Sequence, residues 1–347
     1  MASIEILTDS IELKKISDLE YFSETYKDYI SNSKLSLLNP KEGGSLEKFK
    51  QGIVNDYSSS LDLGSAIHGM VLQPDEYEIA ETRKPGGKIG NFTECTLKYR
   101  KQGMTLKESF EKASGEANYY SGKLTPNRLK SAISKSLNYY LAKLHEEPTD
   151  KQLIYLAEGS MEEKFDSCIK SLRSNSKIKN LLNPLMEFSE PEIYNEYGIF
   201  CSMKITLDDG RSIIVPFKAK LDNFSINHDS ETVTLNDLKT TGKPGSYFMG
   251  NNVKFPENEE LVWIDGSFQK YHYFRQLGVY LWLLQSVIVI SYGIVGYKYK
   301  TNIIAVETIP DFKSLVYAIH QGYINMGLKE FKDIMILFAQ YKLDNEL

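Results

Sequence analysis

The residues best suited to chemistry are an acid and a lysine, Asp237 and Lys239, in the segment TVTLNDLKTT. This segment is rich in β-branched residues and predicts a strand, on which alternate side chains share a face. Asp237 and Lys239 then project together while Leu238 points into the core. A carboxylate beside an ammonium suits metal-assisted phosphodiester hydrolysis, because the carboxylate can bind Mg²⁺ and the ammonium can orient water or offset developing negative charge.

The spacing alone is not specific, because an acid two residues before a lysine occurs five times in this chain. A single pair of this kind is most often a solvated surface pair. The pair at 237/239 differs because it lies in a predicted strand, followed by Thr240, Thr241 and a Gly-Lys-Pro-Gly break. The other four pairs fall in or near predicted helices, where positions i and i+2 point apart.

Asp222 is a candidate second metal ligand. It lies near the end of the preceding predicted strand, and antiparallel pairing can bring it beside Asp237. Two neighbouring carboxylates repel each other unless a cation lies between them, so the pairing favours a metal site. Lys218 and Lys220 precede Asp222 at alternate positions, either as a phosphate-contacting flank or as part of a charged edge strand.

Further candidates lie on the flanking elements. Glu190, Glu192 and Glu196 open the first predicted strand; any of them could supply a third ligand, or they could form an acidic strand end. Gln276 and Tyr280 lie four residues apart on one face of a predicted helix. They could contact the phosphate and the DNA backbone, or they could simply edge a core helix.

His68 lies in GSAIHGMVLQPDEY, on a short apolar predicted helix. A histidine in this setting is most often a core residue with its hydrogen bonds satisfied. Gly64, Ala66 and Gly69 permit close backbone approach, so His68 is also a candidate for binding the metal or the scissile phosphate.

The elements that position these residues change type along the chain. The first part is predicted to be mostly helical, near 12–30, 45–57, 62–73, 104–115, 125–146 and 159–174. A Gly-, Lys- and Thr-rich exposed loop is predicted at 76–103, with a hinge at Gly86-Gly87. From Pro191 three strands follow, with turns at 208–210 and 227–229, then a helix near 267–286, a strand near 287–299, a short strand at IIAVETI and a final helix from about 311.

This order predicts an α+β fold in which a three-strand antiparallel meander and a further strand form a mixed central sheet flanked by helices. The net charge of −5 excludes a uniformly basic nucleic-acid coat but not a local basic groove. Three widely spaced cysteines fit a reducing cytosol and exclude a disulfide framework. The start of the chain lacks signal-peptide character, and the apolar run 280–297 is interpreted as a buried helix end entering a strand, so no membrane segment and a cytoplasmic location are expected.

Five segments, in this order, resemble the exodeoxyribonuclease VIII family of phage and prophage recombination exonucleases, within the RecB-like and lambda-exonuclease-like PD-(D/E)xK superfamily. They are ISNSKLSLLNP, GSAIHGMVLQPDEY, KAKLDNF, NDLKTT and RQLGVY, with Lys220 where the family usually has Arg. The long polar turn between Asp222 and Asp237 and the acidic, Asn-rich segment 248–266 depart from the family pattern.

The resemblance implies roles for individual residues. Asp222, Asp237 and the Leu238 carbonyl would bind Mg²⁺, for which Mn²⁺ could substitute, and Lys239 would position or activate water. His68 would lie at the metal or phosphate, Gln276 and Tyr280 would line the site, and Glu190 or Glu192 would add an acidic ligand. Lys218, Lys220, Thr240 and Thr241 are the candidate DNA contacts.

The implied reaction is hydrolysis from double-stranded DNA ends, 5′→3′, leaving 3′ overhangs. A ring-shaped homo-oligomer and a single-strand annealing protein are the implied partners, in a bacterial host cell. An endonuclease of the same superfamily and a catalytically inactive DNA-binding protein are the alternatives. The predicted organisation is an N-terminal helical segment, 1–60, and a nuclease domain, 61–347, with its core at 186–310, the His68 helix packed on it and a helical elaboration at 76–185.

Overall fold

The computed structural model describes residues 2–52, 59–116, 126–146, 150–159, 161–184, 192–242, 245–254, 261–344 and 347. The strands are β1 (Ser3–Ile6), β2 (Glu12–Lys15), β3 (Tyr77–Ile79), β4 (Gln152–Ile154), β5 (Glu192–Thr206), β6 (Ser212–Asn227), β7 (Thr232–Thr241), β8 (Asn251–Lys254), β9 (Leu261–Ile264), β10 (Lys298–Glu307) and β11 (Ser314–Ala318). The α-helices are α1 (Asp18–Tyr21), α2 (Asn32–Ser36), α3 (Leu46–Gln51), α4 (Ser59–Leu72), α5 (Gly87–Lys101), α6 (Leu106–Glu116), α7 (Pro126–Leu144), α8 (Met161–Ser174), α9 (Ser176–Leu182), α10 (Gly245–Phe248), α11 (Ser267–Lys270), α12 (Tyr273–Tyr292) and α13 (Gln321–Leu343).

A mixed sheet of seven strands organises the fold. Its order is β1-β5-β6-β7-β10-β11, and β2 also pairs with β5. Every neighbouring pair is antiparallel except β7 and β10, which run parallel. The predicted α+β class is therefore confirmed, with the meander β5-β6-β7 and the added strand β10 as its centre.

Helices α12 and α13 cover the sheet with an apolar layer. Two glycines allow their backbones to approach closely: a Cβ on Gly278 would lie 2.6 Å from the Leu328 nitrogen, and one on Gly327 would lie 1.9 Å from the Phe274 oxygen. Ten residues of α12 are buried. This helix is long and apolar enough to span a membrane by length and composition, but more than half of its most apolar window is buried inside the protein.

The apolar run 280–297 does not change from helix to strand as predicted. Helix α12 continues to Tyr292 and ends at Gly293, and β10 starts only at Lys298. Val287 and Ile288 are β-branched, which suggested a strand, but both are buried in the core as part of helix α12. Tertiary packing outweighs the local strand preference here.

Two predictions for the first hundred residues are wrong. The segment 12–30, predicted as a helix, contains strand β2 and only short helical turns, because β5 offers a free edge that β2 pairs with. The loop predicted at 76–103 contains helix α5, which buries Phe92, Cys95 and Leu97. The final helix begins at Gln321, after strand β11, rather than near 311.

The chain divides into two compact units, and the boundaries differ from those predicted. The first unit combines Met1–Val54 with Ser171–Leu347, and the second is Asn55–Lys170. The N-terminal segment thus belongs with the seven-stranded sheet, to which it contributes β1 and β2. The second unit has a core of its own around Phe92, Cys95 and Ala113.

A row of asparagines crosses four neighbouring strands of the sheet. The side-chain amide of Asn302 donates to Asn236 (3.0 Å), that of Asn236 to Asn223 (2.7 Å) and that of Asn223 to Asn195 (2.7 Å). These residues also lie directly opposite one another in the β10-β7-β6-β5 register. Because a one-residue slip would move these side chains to the other face, the row fixes the alignment of the four strands.

Candidate active site

The two predicted acidic residues lie where β6 and β7 separate. The antiparallel ladder pairs Asn223–Asn227 with Thr232–Asn236 and stops there, although the next position in the same register would pair Asp222 with Asp237. Strand β7 continues to Thr241 paired with β10 on its other side. The two carboxylates therefore stand at the point where the strands part.

Asp222 replaces the missing ladder bond. Its Oδ2 accepts a hydrogen bond of 2.7 Å from the backbone nitrogen of Leu238. On an extended strand the N–H and the C=O of one residue point to the same side, so the Leu238 carbonyl also faces the gap beside Asp222. This orientation is the one that a backbone metal ligand at this position needs.

Asp237 and Lys239 form a close ion pair, with 2.6 Å between Lys239 Nζ and Asp237 Oδ2. Asp237 is almost completely buried. Burial alone would lower the pKa of Lys239, but the charges of Asp237 and Asp222 and the hydrogen bond to Asp237 outweigh it and raise that pKa. Lys239 is thus held as an ammonium beside the two carboxylates.

Glu196 is the third acidic residue of the site. It faces Asp222 between the paired residues Asn195–Asn223 and Tyr197–Leu221, but its backbone has φ of 57° and this position is missing from the ladder. Carboxylate oxygens of Glu196 and Asp222 lie within 4.8 Å of each other. A non-glycine residue at positive φ on a strand is uncommon and marks positions worth functional scrutiny.

Of the three glutamates predicted as alternatives for a third ligand, Glu196 is the one that lies beside Asp222 among the described residues. Glu190 lies outside the described residues, and Glu192 lies opposite Ile226, where it binds the hydroxyl of Tyr194 and the ring of His228. The sequence did contain a signal for Glu196. Thr206 pairs with Ser212 across the predicted hairpin turn, and counting ten residues from the turn along each strand reaches Glu196 and Asp222.

Lys220 forms an ion pair with Glu196. Its Nζ lies 2.5 Å from Glu196 and 2.6 Å from Asp18. Lys218 is buried instead, donating to the backbone oxygen of Tyr21 at 2.6 Å and lying 4.3 Å from that ring. Burial lowers the pKa of Lys218. Both lysines, predicted as DNA contacts, therefore make internal contacts.

Helix α12 supplies the predicted polar pair. Gln276 Nε2 donates to Asp237 Oδ1 and to the Tyr280 hydroxyl, both at 3.1 Å. Burial first, and then the nearby charges of Tyr21, Asp237 and Asp222, raise the pKa of Tyr280 well above its ordinary value. Its hydroxyl therefore keeps its proton at neutral pH.

The roles predicted for three further residues stay untested by their positions in the structure. His68 lies partly buried on α4, within the second unit, and its role at a metal or phosphate stays a prediction. Thr240 is partly exposed and Thr241 is buried near the end of β7, and their DNA contacts also stay predictions.

A buried arginine on the other side of α12 fixes the helix that carries Gln276. Arg275 is 1% exposed and pairs with Glu42 and with Glu330, the latter at 3.0 Å. Its guanidinium also donates to Asn32 at 2.9 Å and to Ser36 at 2.7 Å. The segment ISNSKLSLLNP is therefore bonded directly to the helix behind the site.

The donor set fits a hard divalent cation. Glu196 and Asp222 offer carboxylate oxygens, with Asp237 and the Leu238 carbonyl alongside, and these are the ligand types that Mg²⁺ and Mn²⁺ prefer. Within the described residues the three cysteines are all buried, and Glu196 and Asp222 approach each other closely enough to share an ion. The arrangement can bind a metal between strands and hold an ammonium beside it.

Comparisons with known proteins add little. No protein-family model matches the chain, and no curated protein matches it. Among solved structures it is similar to one from Eubacterium rectale named "Putative exonuclease", with a TM-score of 0.48 and 11% identity over 96% of this chain and 88% of that one. A likeness of this size carries no argument about function.

Proposed function

We propose that this chain is a Mg²⁺-dependent deoxyribonuclease. The observation that carries the proposal is the convergence of Glu196, Asp222, Asp237 and Lys239 at the parting of β6 and β7, with 2.6 Å between Asp237 and Lys239 and at most 4.8 Å between Glu196 and Asp222. Carboxylates grouped around an ammonium are the groups that metal-assisted phosphodiester hydrolysis requires.

Each residue has a role in this proposal. Asp222, Asp237 and Glu196 would hold the metal, which supplies Lewis-acid activation of the phosphodiester and of water. Lys239, kept protonated, orients the attacking water and offsets the negative charge that develops on the phosphate. Gln276 fixes the carboxylate of Asp237 through one hydrogen bond and is itself held by Tyr280.

The resemblance of the sequence to the exodeoxyribonuclease VIII family favours an exonuclease that acts 5′→3′ on double-stranded DNA ends. It also favours a bacterial cytoplasmic location, a ring-shaped homo-oligomer and a single-strand annealing protein as partner. An endonuclease with the same site is the second candidate. A catalytically inactive DNA-binding protein is the third, and the intact acidic group with its lysine speaks against it, because such a protein has no need to keep them.

The test compares linear with covalently closed duplex DNA in the presence of Mg²⁺. We expect degradation of the linear DNA only, and we expect Asp237→Asn and Lys239→Met each to reduce the rate by about 10²- to 10³-fold, the scale of removing an electrostatic catalytic group. Cutting of closed circles would favour the endonuclease. Absence of Mg²⁺-dependent cleavage of any DNA by the folded protein would refute both enzyme proposals.

The chain supplies a matched control for these substitutions. Asp311 and Lys313 have the same acid-x-lysine spacing and form an ion pair of 3.4 Å, but both are exposed. Asp311→Asn and Lys313→Met should leave the rate within about twofold of the unsubstituted protein, since exposed pairs contribute little. Circular dichroism of all four variants confirms that lost activity is not lost folding.

A further inference from the structure

The segment between β7 and α12 exposes large aromatic rings. Tyr247, on α10, is 49% exposed, Trp263, on β9, is 48% exposed, and Tyr271, just after α11, is 55% exposed. Three exposed rings within one short segment present a large apolar surface that a ligand can cover. This segment includes the stretch 248–266, which the proposed nuclease chemistry does not use.

One of these rings, Tyr271, is connected to the candidate active site through Tyr273. The Lys239 ammonium lies 5.3 Å from the centre of the Tyr273 ring, and the Tyr273 and Tyr271 rings are 5.8 Å apart. The ammonium of Lys270 lies 5.6 Å from the Tyr271 ring. A line of side chains therefore leads from the catalytic lysine, through a partly buried ring, to a ring in solvent.

The backbone that carries these rings is closely packed. A Cβ on Gly266 would lie 2.3 Å from the Gly250 nitrogen and 2.4 Å from the Tyr247 oxygen, so these backbones touch where only glycine fits. The Trp263 indole donates to Asp265 at 2.9 Å. Beneath them the buried Phe248 ring stacks on Tyr273 and on Tyr317. The backbone that carries the exposed rings is thus held in place by close packing.

We infer that the surface formed by Tyr247, Trp263 and Tyr271 binds unpaired bases of a DNA strand next to the active site. This inference rests on the proposed nuclease function. Bases suit the surface because uncharged base faces stack on aromatic rings irrespective of sequence. Asp265 disfavours a phosphate at Trp263, whereas Lys270 beside Tyr271 is placed to contact the strand backbone.

The experiment measures binding of fluorescein-labelled oligothymidine to the full-length protein by anisotropy, in EDTA so that no cleavage occurs. We expect Tyr271→Ala and Trp263→Ala each to weaken binding roughly tenfold, the scale of losing one base–aromatic stack, and Tyr271→Phe to bind as the unsubstituted protein does. Tyr292→Ala removes a tyrosine that is 38% exposed at the far end of α12, and it should leave binding unchanged.

The inference is overturned if the unsubstituted protein does not bind oligothymidine, if Tyr271→Ala binds equally well, or if Tyr292→Ala weakens binding as much. Any of these results would leave the aromatic surface for another kind of partner, such as a protein. Failure of the nuclease proposal is recognised separately, by absence of Mg²⁺-dependent cleavage in the unsubstituted protein. Binding in EDTA does not depend on that result.

Discussion

Charge balance at the candidate site depends on individual side chains, and Glu196 adds a third carboxylate to Asp222 and Asp237. Three carboxylates face two ammonium groups there, because Lys220 contacts Glu196 and Lys239 contacts Asp237. In the proposed function, the remaining negative charge would attract the divalent cation. Glu196 also has its unusual positive φ beside Asp222, and its carboxylate lies within 4.8 Å of the Asp222 carboxylate.

Glu196→Gln should therefore weaken metal binding. We expect the dissociation constant for Mn²⁺, measured by calorimetry without DNA, to rise about tenfold or more, because one charged oxygen donor is lost. Lys220 retains Asp18 as a partner in this variant, so the fold should persist. Glu192→Gln is the matched control and should bind Mn²⁺ normally. Equal weakening by both substitutions would contradict the assignment of Glu196.

At this scale the sequence predicted the site in part. Asp237 and Lys239 were recognisable because a strand places alternate residues on one face, and Asp222 because a hairpin brings it back beside them. Glu196 was one of three candidate glutamates and could not be singled out, because its contact with Asp222 depends on register over ten residues and its positive φ has no local sequence signal. The internal contacts of Lys218 and Lys220 depend on α1, which packs there from a distant part of the chain.

Among the secondary-structure elements, α12 holds the site and the core together. One face places Gln276 against Asp237, and the neighbouring Arg275 joins α2 and α13. Glu330 on α13 accepts from Arg275 and contacts the ring of His272 at 2.7 Å. Glu42 remains as a partner of Arg275 when Glu330 is replaced, but the buried guanidinium then has one carboxylate where it had two, and weakening a buried ion pair in this way is destabilising.

Glu330→Gln should lower the free energy of unfolding at neutral pH by on the order of 3 kcal/mol. Burial would raise the pKa of Glu330, but the hydrogen bond and charge of His272, with the charges of Arg275 and Lys41, lower it below its ordinary 4.5. A lowered pKa contributes stability that is present above 4.5 and is lost as the pH falls through the folded-state value. The free energies of unfolding of Glu330→Gln and of the unsubstituted protein should therefore converge as the pH becomes acidic.

Urea unfolding of both proteins over a pH series measures this difference. Glu20→Gln removes the carboxylate of an exposed pair with Lys14 and should change stability by less than about 1 kcal/mol at any pH. If the difference in free energy of unfolding between Glu330→Gln and the unsubstituted protein stays constant as the pH falls below 4.5, titration of this carboxylate does not contribute to the pH dependence of stability.

Elements with strong local patterns were predictable, and those decided by tertiary contacts were not. The hairpin β5-β6 has a clear turn between β-rich strands. By contrast, β2 forms because β5 has an edge to pair with, and α5 forms although its sequence is rich in glycine and lysine. The end of α12 extended beyond its predicted boundary because core packing overrides the β-branched preference of Val287 and Ile288.

For the whole molecule, the division into two units predicts that a core substitution in one unit destabilises mainly that unit. Phe92 is fully buried in the second unit and stacks on Phe110 with 5.5 Å between ring centres. Phe92→Ala should cost about 3–5 kcal/mol, the usual effect of emptying such a site. Because the sheet has its own core, the loss should be confined largely to the second unit.

Hydrogen exchange followed by mass spectrometry can locate the effect. We expect faster exchange in peptides from α5 and α6 and unchanged exchange in peptides from β6 and β7. The reciprocal variant is Phe331→Ala, which opens the core between α13 and the sheet and should affect β6 and β7 first. Uniformly faster exchange along the chain after Phe92→Ala would show that the protein unfolds as one cooperative unit.

The asparagine row limits how this sequence can diverge. Replacing Asn236 alone leaves an acceptor on Asn223 and a donor on Asn302 without their bonds, at about 1–3 kcal/mol for each buried group. Replacing neighbours together by apolar residues of similar shape can be nearly neutral. Descent from this sequence should therefore keep the row intact or exchange adjacent members in pairs, and the strands carrying the acidic site would be inherited as one block.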